Sequence, residues 1–417
     1  MKQKYIPISE AAEKWDISPR QVQNLCRAGS VPDAVRFGRS WMIPENAAKP
    51  LDGRTRQAKR QKVQNAANLP MPRKSPFLSM TDLYTEVGAA QKCIDALADH
   101  PEAQALLAAE IAYSRGEIDL LVSHAQYFLG KRSGFYAVNA GGMLLALAAM
   151  WRGDIHLWRQ AKLHICDAPF RNREDQDILS LTLACVDSSV RDFSNYPEWF
   201  IRGQFVHLPS DAHPAAWVFY IKFLLFYAQD RAVNQVKMPD ITGLGMIKFV
   251  PYIAEPMIAQ LSLEKKIIPE IYLRLLVATA YHQSGNDAMA IAHVDAAIAL
   301  ALPDGLLGIL AEHRRNLDYL LDDRLAQADP EAFKRYKDLQ RGLFEGWTKL
   351  HNSLLSKNVS RALSIREREI ARLAAFGLSN SDISRQLHIS PDSVKKAIYD
   401  AMNKTGVDKR EKLGAFV

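Results

Sequence analysis

No apolar run in this chain of 417 residues is as long as the roughly 18–20 residues a membrane-spanning helix requires. The longest, 140–151 and 216–228, stop well short, and Lys222 interrupts the second. The opening MKQKYIPISEAAEKW turns polar at once and lacks the apolar stretch of a secretory signal, so a cytoplasmic protein without membrane contact is expected. Cysteine is scarce. Cys26, Cys93, Cys166 and Cys185 lie far apart and form no C-x-x-C or His-clustered spacing, which argues against a zinc site and for reduced thiols. No G-x-x-x-x-G-K-[ST], G-x-S-x-G or H-E-x-x-H is present, and Thr242-Gly-Leu-Gly is too short to cradle a phosphate. His164, His207, His213 and His282 are scattered and read as surface or core histidines. Neither catalysis nor a cofactor nor a metal is indicated.

What is present is helix, sorted by charge. The 48% hydrophobic and 24% charged residues place the chain among ordinary globular proteins, and its length allows two or three domains. The net charge of +7 is unevenly spread. Residues 1–48 hold 7 basic and 5 acidic side chains, residues 49–75 hold 8 and 1, and residues 357–417 hold 12 and 7. Residues 76–356 hold 26 and 33. Basic ends around an acidic middle are the electrostatic footprint expected of termini that approach nucleic acid.

The last 58 residues carry the densest signals. Ser364 stands three residues before Glu367, the spacing of a capping box. Ile370, Leu373 and Ala374 form an apolar stripe, and Gly377 is a helix stop. Ser379 with Asp382 opens a second helix. Ser390-Pro391 opens a third, with Ser at the cap and Pro at the first turn, where its missing N–H costs nothing. Val394, Ile398, Ala401 and Met402 are that helix's buried side, which leaves Lys395, Lys396, Tyr399 and Lys404 outside. Two short helices joined by a tight turn are the plan of a helix-turn-helix, and this outward set suits a major groove.

LSIREREIARLAAFGLSNSDISRQLHIS, then SVK and NKTGV, resembles the LuxR/NarL-type DNA-binding domain. The resemblance implies a four-helix domain in which Ser393, Lys404, Lys409 and Arg410 touch phosphates. It further implies that Lys395, Lys396 and Tyr399 face the bases, and that the helix from Asp408 serves a homodimer. Ala397 departs from the family's usual His, so a base preference cannot be carried over.

Residues 4–46 read as a second unit. Tyr5–Ile8 is extended, Ser9-Glu10 is expected to cap a helix with Ala11, Ala12 and Trp15 inside, and Ser18-Pro19-Arg20-Gln21 opens another. Val22, Leu25 and Cys26 are the buried face of that second helix, and Gly29 its stop. Ser18, Arg20, Gln21, Gln23, Asn24 and Arg27 are left as candidate DNA contacts. VRFGRSWMI alternates about Gly38-Arg39 as a β-hairpin bearing Arg36 and Arg39. The order resembles the excisionase/MerR-type winged helix-turn-helix. A module that only dimerises is the plainer reading of the same residues.

Residues 49–79 have no apolar period, several prolines and clustered positive charge, the pattern of a flexible basic linker. Residues 80–356 are helical almost throughout, with helix pairs around Gly116, Gly153-Asp154 and Gly285-Asn286. VATAYHQSGNDAMAIAHVDAAIALA is similar to a tetratricopeptide repeat, as in large MalT-like members of the LuxR group. An α-solenoid is expected, serving as sensor or docking platform for a peptide, protein or small-molecule effector. Its aromatics, including Trp151, Trp158 and the 217–227 run, read as core rather than pocket.

The expected protein is therefore mainly α. It has a winged helix-turn-helix (1–48), a linker (49–79), a helical-repeat regulatory domain (80–356) and a LuxR-type domain (357–417). It would be a bacterial transcription regulator bound to double-stranded DNA, and nucleoid-associated when bound. The residues leave open two other classes: an architectural, excisionase-like factor of a mobile element, and a helical-repeat scaffold for other proteins.

Overall fold

The computed structural model describes residues 4–27, 31, 34–37, 40–47, 71–129, 133–229, 243–355, 363, 365–405 and 407–417. The chain divides into two units, Met1–Leu69 and Pro70–Val417. It is mainly helical, and among the described residues no helix is long and apolar enough to cross a membrane.

In the first unit, β1 (Tyr5–Pro7) runs directly into α1 (Ile8–Trp15), followed by α2 (Pro19–Arg27), β2 (Val35–Phe37) and β3 (Ser40–Pro44). Helix α1 starts at Ile8 behind an extended Pro7, with no side-chain cap. The anticipated Ser9-Glu10 cap does not form because the strand delivers the chain already oriented by the fixed φ of proline. The helix ends at Asp16, whose left-handed backbone lets the amides of Asp16 and Ile17 reach the carbonyls of Glu13 and Ala12. The strands form an antiparallel sheet in the order β1-β3-β2, with Ile6 opposite Ile43 and Phe37 opposite Ser40. Ile6, Ala11, Ala12, Trp15, Val22, Cys26, Val31 and Ile43 make its core. Gly29, Gly38, Arg39, Ser364 and residues 49–70 lie outside the described residues, whereas residues 71–79 of the expected linker belong to the second unit, with Phe77, Leu78 and Ser79 buried.

The second unit opens with α3 (Ala90–Asp95), α4 (Pro101–Arg115), α5 (Ile118–Leu129), α6 (Phe135–Arg152) and α7 (Ile155–Cys166). Next come α8 (Arg173–Ser189), the one-turn α9 (Glu198–Ile201), α10 (His213–Gln229) and α11 (Gly243–Leu263). Then follow α12 (Ile267–Gln283), α13 (Asp287–Ala301), α14 (Leu307–Ala328) and α15 (Pro330–Leu355). The three expected helix pairs are α4/α5, α6/α7 and α12/α13, each packed on its partner. Asp154 caps α7 by accepting from the amides of His156 and Leu157, and Asn286 caps α13 by accepting from Met289.

A stack of repeats confines contacts to neighbouring pairs. Here the chain returns on itself: α14 packs on α4, and α15 lies across α6 and α7. Gly346 on α15 is what permits the crossing, because a Cβ there would stand 1.9 Å from the carbonyl oxygen of Trp151. Gly308 does the same for α14 against the backbone of Tyr113, Ser114 and Gly116, at 2.6–2.8 Å. The aromatics between α8 and α10 pack edge to face within the core, Phe193 on Tyr196 and Phe223, and Phe205 on Trp217. Two carboxylates fasten the opening segment. Glu110 accepts from the amides of Leu78 and Ser79, and Asp304 from the Tyr84 hydroxyl and the amides of Gly88 and Ala90. The final helices, α16 (Ile365–Ala375), α17 (Asn380–Gln386) and α18 (Pro391–Thr405), have a separate core closed by Leu413 and Val417.

The crossing yields a paired test. Gly346→Ala forces a methyl into backbone and should cost about 1–3 kcal/mol in urea unfolding, the usual range for overpacking. Gly342→Ala, one turn earlier with open space around it, should be neutral or stabilising by up to about 1 kcal/mol from helix propensity. Equal effects at the two positions would refute the close approach.

Candidate nucleic-acid interface

The C-terminal helices are set by their caps. Helix α16 ends at Gly377 (φ +95°), where the amide of Leu378 reaches the Leu373 carbonyl at 3.1 Å. The capping box of α17 is formed: the Asp382 amide donates to Ser379 Oγ at 3.1 Å, and the Ser379 amide donates to Asp382 Oδ2 at 3.3 Å. Between α17 and α18 the chain turns at His388 (φ +49°). There Ser384 Oγ donates to the Ile389 carbonyl at 2.6 Å, and Ser390 Oγ caps α18 by accepting from the Ser393 amide at 3.1 Å.

These constraints fix which side of α18 is dry. Val394, Ile398 and Ala401 are buried, while Lys395, Lys396 and Tyr399 are exposed, the tyrosine to 65%. Ser393 is exposed beside the cap. Lys404 belongs to α18, but its side chain lies outside the description. Lys409 is exposed, whereas Arg410 is turned inward: its guanidinium donates to the Leu378 carbonyl at 2.6 Å, Asn380 Oδ1 at 3.0 Å and the Ala374 carbonyl at 3.4 Å. Those bonds satisfy carbonyls at the end of α16, so Arg410 serves the turn rather than an outward surface. The segment expected as a fourth α-helix is a 3-10 helix, Arg410–Phe416, with Leu413 in the domain's own core.

In the first unit, Arg20, Gln21, Asn24 and Arg27 of α2 and Arg36 of β2 are exposed, and Gln23 is half-buried. Ser18 and Gln21 are occupied with each other. The Ser18 amide donates to Gln21 Oε1 at 2.9 Å, and Ser18 Oγ accepts from the Gln21 amide at 3.3 Å. They form the capping box the sequence suggested, at some expense to Gln21 as a reader of bases.

Sequence reasoning passed over the surface on which α16 and α17 rest. Buried His282, at the end of α12, places Nδ1 2.8 Å from Asp287 and Nε2 3.8 Å from Glu369 of α16. His388 lies 3.2 Å from the same Asp287, and Gln386 donates to the His282 carbonyl at 3.4 Å. Arg368 stacks 4.2 Å over Phe344, and Arg372 donates to Asn316 at 3.4 Å. The S-G-N turn after His282 marked a helix end, but nothing local announced a partner some ninety residues away. Burial by itself would depress the His282 imidazole, and the Glu369 and Asp287 carboxylates overcome it, leaving its pKa raised. Asp287 is held low despite its burial, by the two histidines. Among the described residues no group of His, Cys, Asp and Glu could hold a metal ion, and all four cysteines are free thiols.

A family model described as bacterial regulatory proteins, luxR family, matches residues 361–416. Residues 361–416 are thus a luxR-family domain, and the match supports a bacterial DNA-binding transcription regulator. Neither a curated protein nor a solved structure matches the chain.

The His282 geometry predicts a pH response. A raised pKa means that the contact favours the imidazolium. Its contribution is therefore complete below the ordinary imidazole range, near about 6.5, and is lost as pH climbs through the raised value. Amide exchange over residues 365–386, corrected for intrinsic rates, should show protection falling between pH 6 and pH 8.5 in the parent but not in His282→Asn. Parent protection that stays level across that range would refute the coupling.

Proposed function

We propose that the protein is a sequence-reading transcription regulator whose helix α18 enters the major groove. The observation that carries this reading is the outward triplet Lys395, Lys396 and Tyr399 on a helix whose opposite face is fully buried within the luxR-family domain. Lysines there can donate to guanine O6 and N7, and the tyrosine hydroxyl can donate or accept. Ser393, Lys404 and Lys409 are assigned to phosphates, where they supply register and salt-sensitive affinity without sequence information. Arg410 is left out of that set because its donors serve the α16–α17 turn.

The first unit offers a second reading surface. Arg20, Asn24 and Arg27 line one side of α2, with Gln23 at its margin and Arg36 on the hairpin. A guanidinium suits guanine and an amide suits adenine. Tethering two such modules raises overall affinity through effective concentration. The helical middle would serve as the regulatory body, and a homodimer on paired half-sites is the expected assembly. Shared tethering of this kind would also suit an architectural factor, which differs in predicting strong bending of the DNA.

The test is enrichment of fragmented genomic DNA by the full chain at about 150 mM salt, where non-specific binding is weakened. A shared motif is expected. Against it, Lys396→Ala should lose about 1–3 kcal/mol and discriminate less between motif and random DNA. A specific-to-random ratio unchanged by Lys396→Ala would remove α18 from base reading, and the absence of any motif would overturn the regulator reading.

A further inference from the structure

Helix α11 (Gly243–Leu263) packs on α10 and α12 and turns Ile247, Val250, Ala254, Ile258 and Leu261 inward. Its other side carries apolar groups into solvent. Phe249 is 57% exposed, Tyr252 80% and Leu263 85%, and the rings of Phe249 and Tyr252 lie 6.4 Å apart. Pro256 and Ala259 are exposed between Tyr252 and Leu263, at the three- and four-residue spacing of a helix seam. With Val206, Tyr252 and Leu263 are the most exposed large apolar side chains among the described residues.

The stripe is also bare of charge. Between Phe249 and Leu263, in a chain that is 24% charged, Glu255 is the one charged residue. It is turned toward the body, accepting from the Tyr281 hydroxyl at 3.1 Å and lying 2.9 Å from His293 Nε2. A solvated helix face is ordinarily polar, and an exposed apolar one of this length marks an interaction surface. Lipid is the poorer fit. A helix lying on a membrane is rich in Lys and Arg along its polar face, and none stands between Lys248 and Lys265.

The order of residues along the stripe favours a second copy of this chain. Two copies related by a two-fold axis present one patch to each other, so that patch must be complementary to itself. Reversed about Pro256, this stripe is. Phe249 and Leu263 lie two turns to either side of Pro256, Tyr252 and Gln260 one turn, and Lys248 and Glu264 just beyond the apolar pair. Two α11 helices packed antiparallel about Pro256 therefore set phenylalanine on leucine, tyrosine on glutamine and lysine on glutamate, each twice. Lys248 and Glu264 are both exposed. Glu264 accepts from Gln260 at 2.8 Å and pairs with Lys266 at 2.6 Å. Those contacts hold the carboxylate beside the stripe and leave the Gln260 amide oxygen for a tyrosine hydroxyl.

We propose that α11 is the homodimer interface of this protein, with two copies packed antiparallel across Pro256. The luxR-type resemblance implies a dimer contact in the segment from Asp408, whereas Leu413 there lies in the core of its own domain. One helix from each copy is a small contact beside the roughly 800 Å² per partner of a standard interface. The dimer is accordingly a weak one that a shared DNA molecule would tighten. That role on DNA rests on the regulator reading above; the interface itself does not.

Sedimentation of the full chain from about 1 to 200 µM should show a reversible equilibrium of monomer and dimer. Tyr252→Glu, a change in solvent, should leave the thermal midpoint unaltered and weaken the dimer about tenfold or more. Lys248→Glu and Glu264→Lys should each weaken it about fivefold. The double variant should return to within about twofold of the parent, because the exchanged charges meet again across the axis. A chain that stays monomeric throughout overturns the proposal, as does a dimer indifferent to Tyr252→Glu. Single exchanges that weaken association without recovery in the double variant overturn the antiparallel register. A monomeric parent that binds phosphatidylglycerol vesicles, and loses them in Tyr252→Glu, makes lipid the occupant and likewise overturns it. On a DNA fragment bearing two copies of the enriched motif, Tyr252→Glu should lose about tenfold in affinity, and on one copy nothing. A chain that dimerises as described but enriches no motif counts against the regulator reading and leaves the interface standing.

Discussion

The constraint on which the second unit depends is the contact between Gly346 and the backbone at the end of α6. With no side chain at 346, α15 approaches until its backbone meets the carbonyls of Trp151 and Met150. That approach turns a series of helix pairs into a closed body. It also sets three neighbours of Gly346 at once. Leu343 and Trp347 become walls of a cavity of about 80 Å³ between α6, α10, α14 and α15, and Phe344 lies in the same wall and against Arg368. A larger residue at 346 would shift the rigid helix that carries all three, because packed interiors transmit displacement rather than absorb it.

The charge distribution acquires a structural meaning when the docked surface is considered. The basic C-terminal domain rests on an acidic middle, yet it does not spend its outward lysines to do so. The contacts between them include Glu369, Gln386 and His388, together with Arg368 and Arg372 of α16. Lys395, Lys396 and Tyr399 remain in solvent. Attraction between the two parts is thus met by one side of the domain, while the proposed DNA-facing side is the other. Were the docking made by α18, its lysines would have to leave the acidic body before meeting phosphate, at a cost in affinity.

Local punctuation was legible in the sequence because caps and stops are short-range chemistry. Ser379 with Asp382, Ser390 before Pro391, Ser18 with Gln21, and Gly377 all act where the sequence placed them. The buried stripe of α18 was equally readable, since periodicity reports which face is dry. Three features were not. Arg191 takes a left-handed position without glycine, so no composition rule marked it. Gly346 lies inside a helix, where a glycine looks like a weakness until the opposing backbone is known. His282 looked isolated because its partner Glu369 is remote in the chain. The aromatics divided as the spacing suggested, with Trp158, Phe200 and Phe223 buried in the core. Phe226 belongs to the same helical run and faces a cavity, a difference of a single turn that periodicity does not resolve.

Two inputs converge on the attachment of α16. One is the imidazole of His282 between Glu369 and Asp287, which responds to protons. The other is the pair Phe344 and Asn316 of the helical body, which meet Arg368 and Arg372. Residues 368 and 372 stand one turn apart on one helix and 369 adjoins 368, so the two inputs act on the same rigid element within a single turn. A helix held in part by several modest polar contacts has an attachment that a modest change at any one of them can alter. On the proposed reading, exchangeable contacts of that kind would let a DNA-reading domain answer to the helical body, whereas a fully apolar junction would fix it in one state.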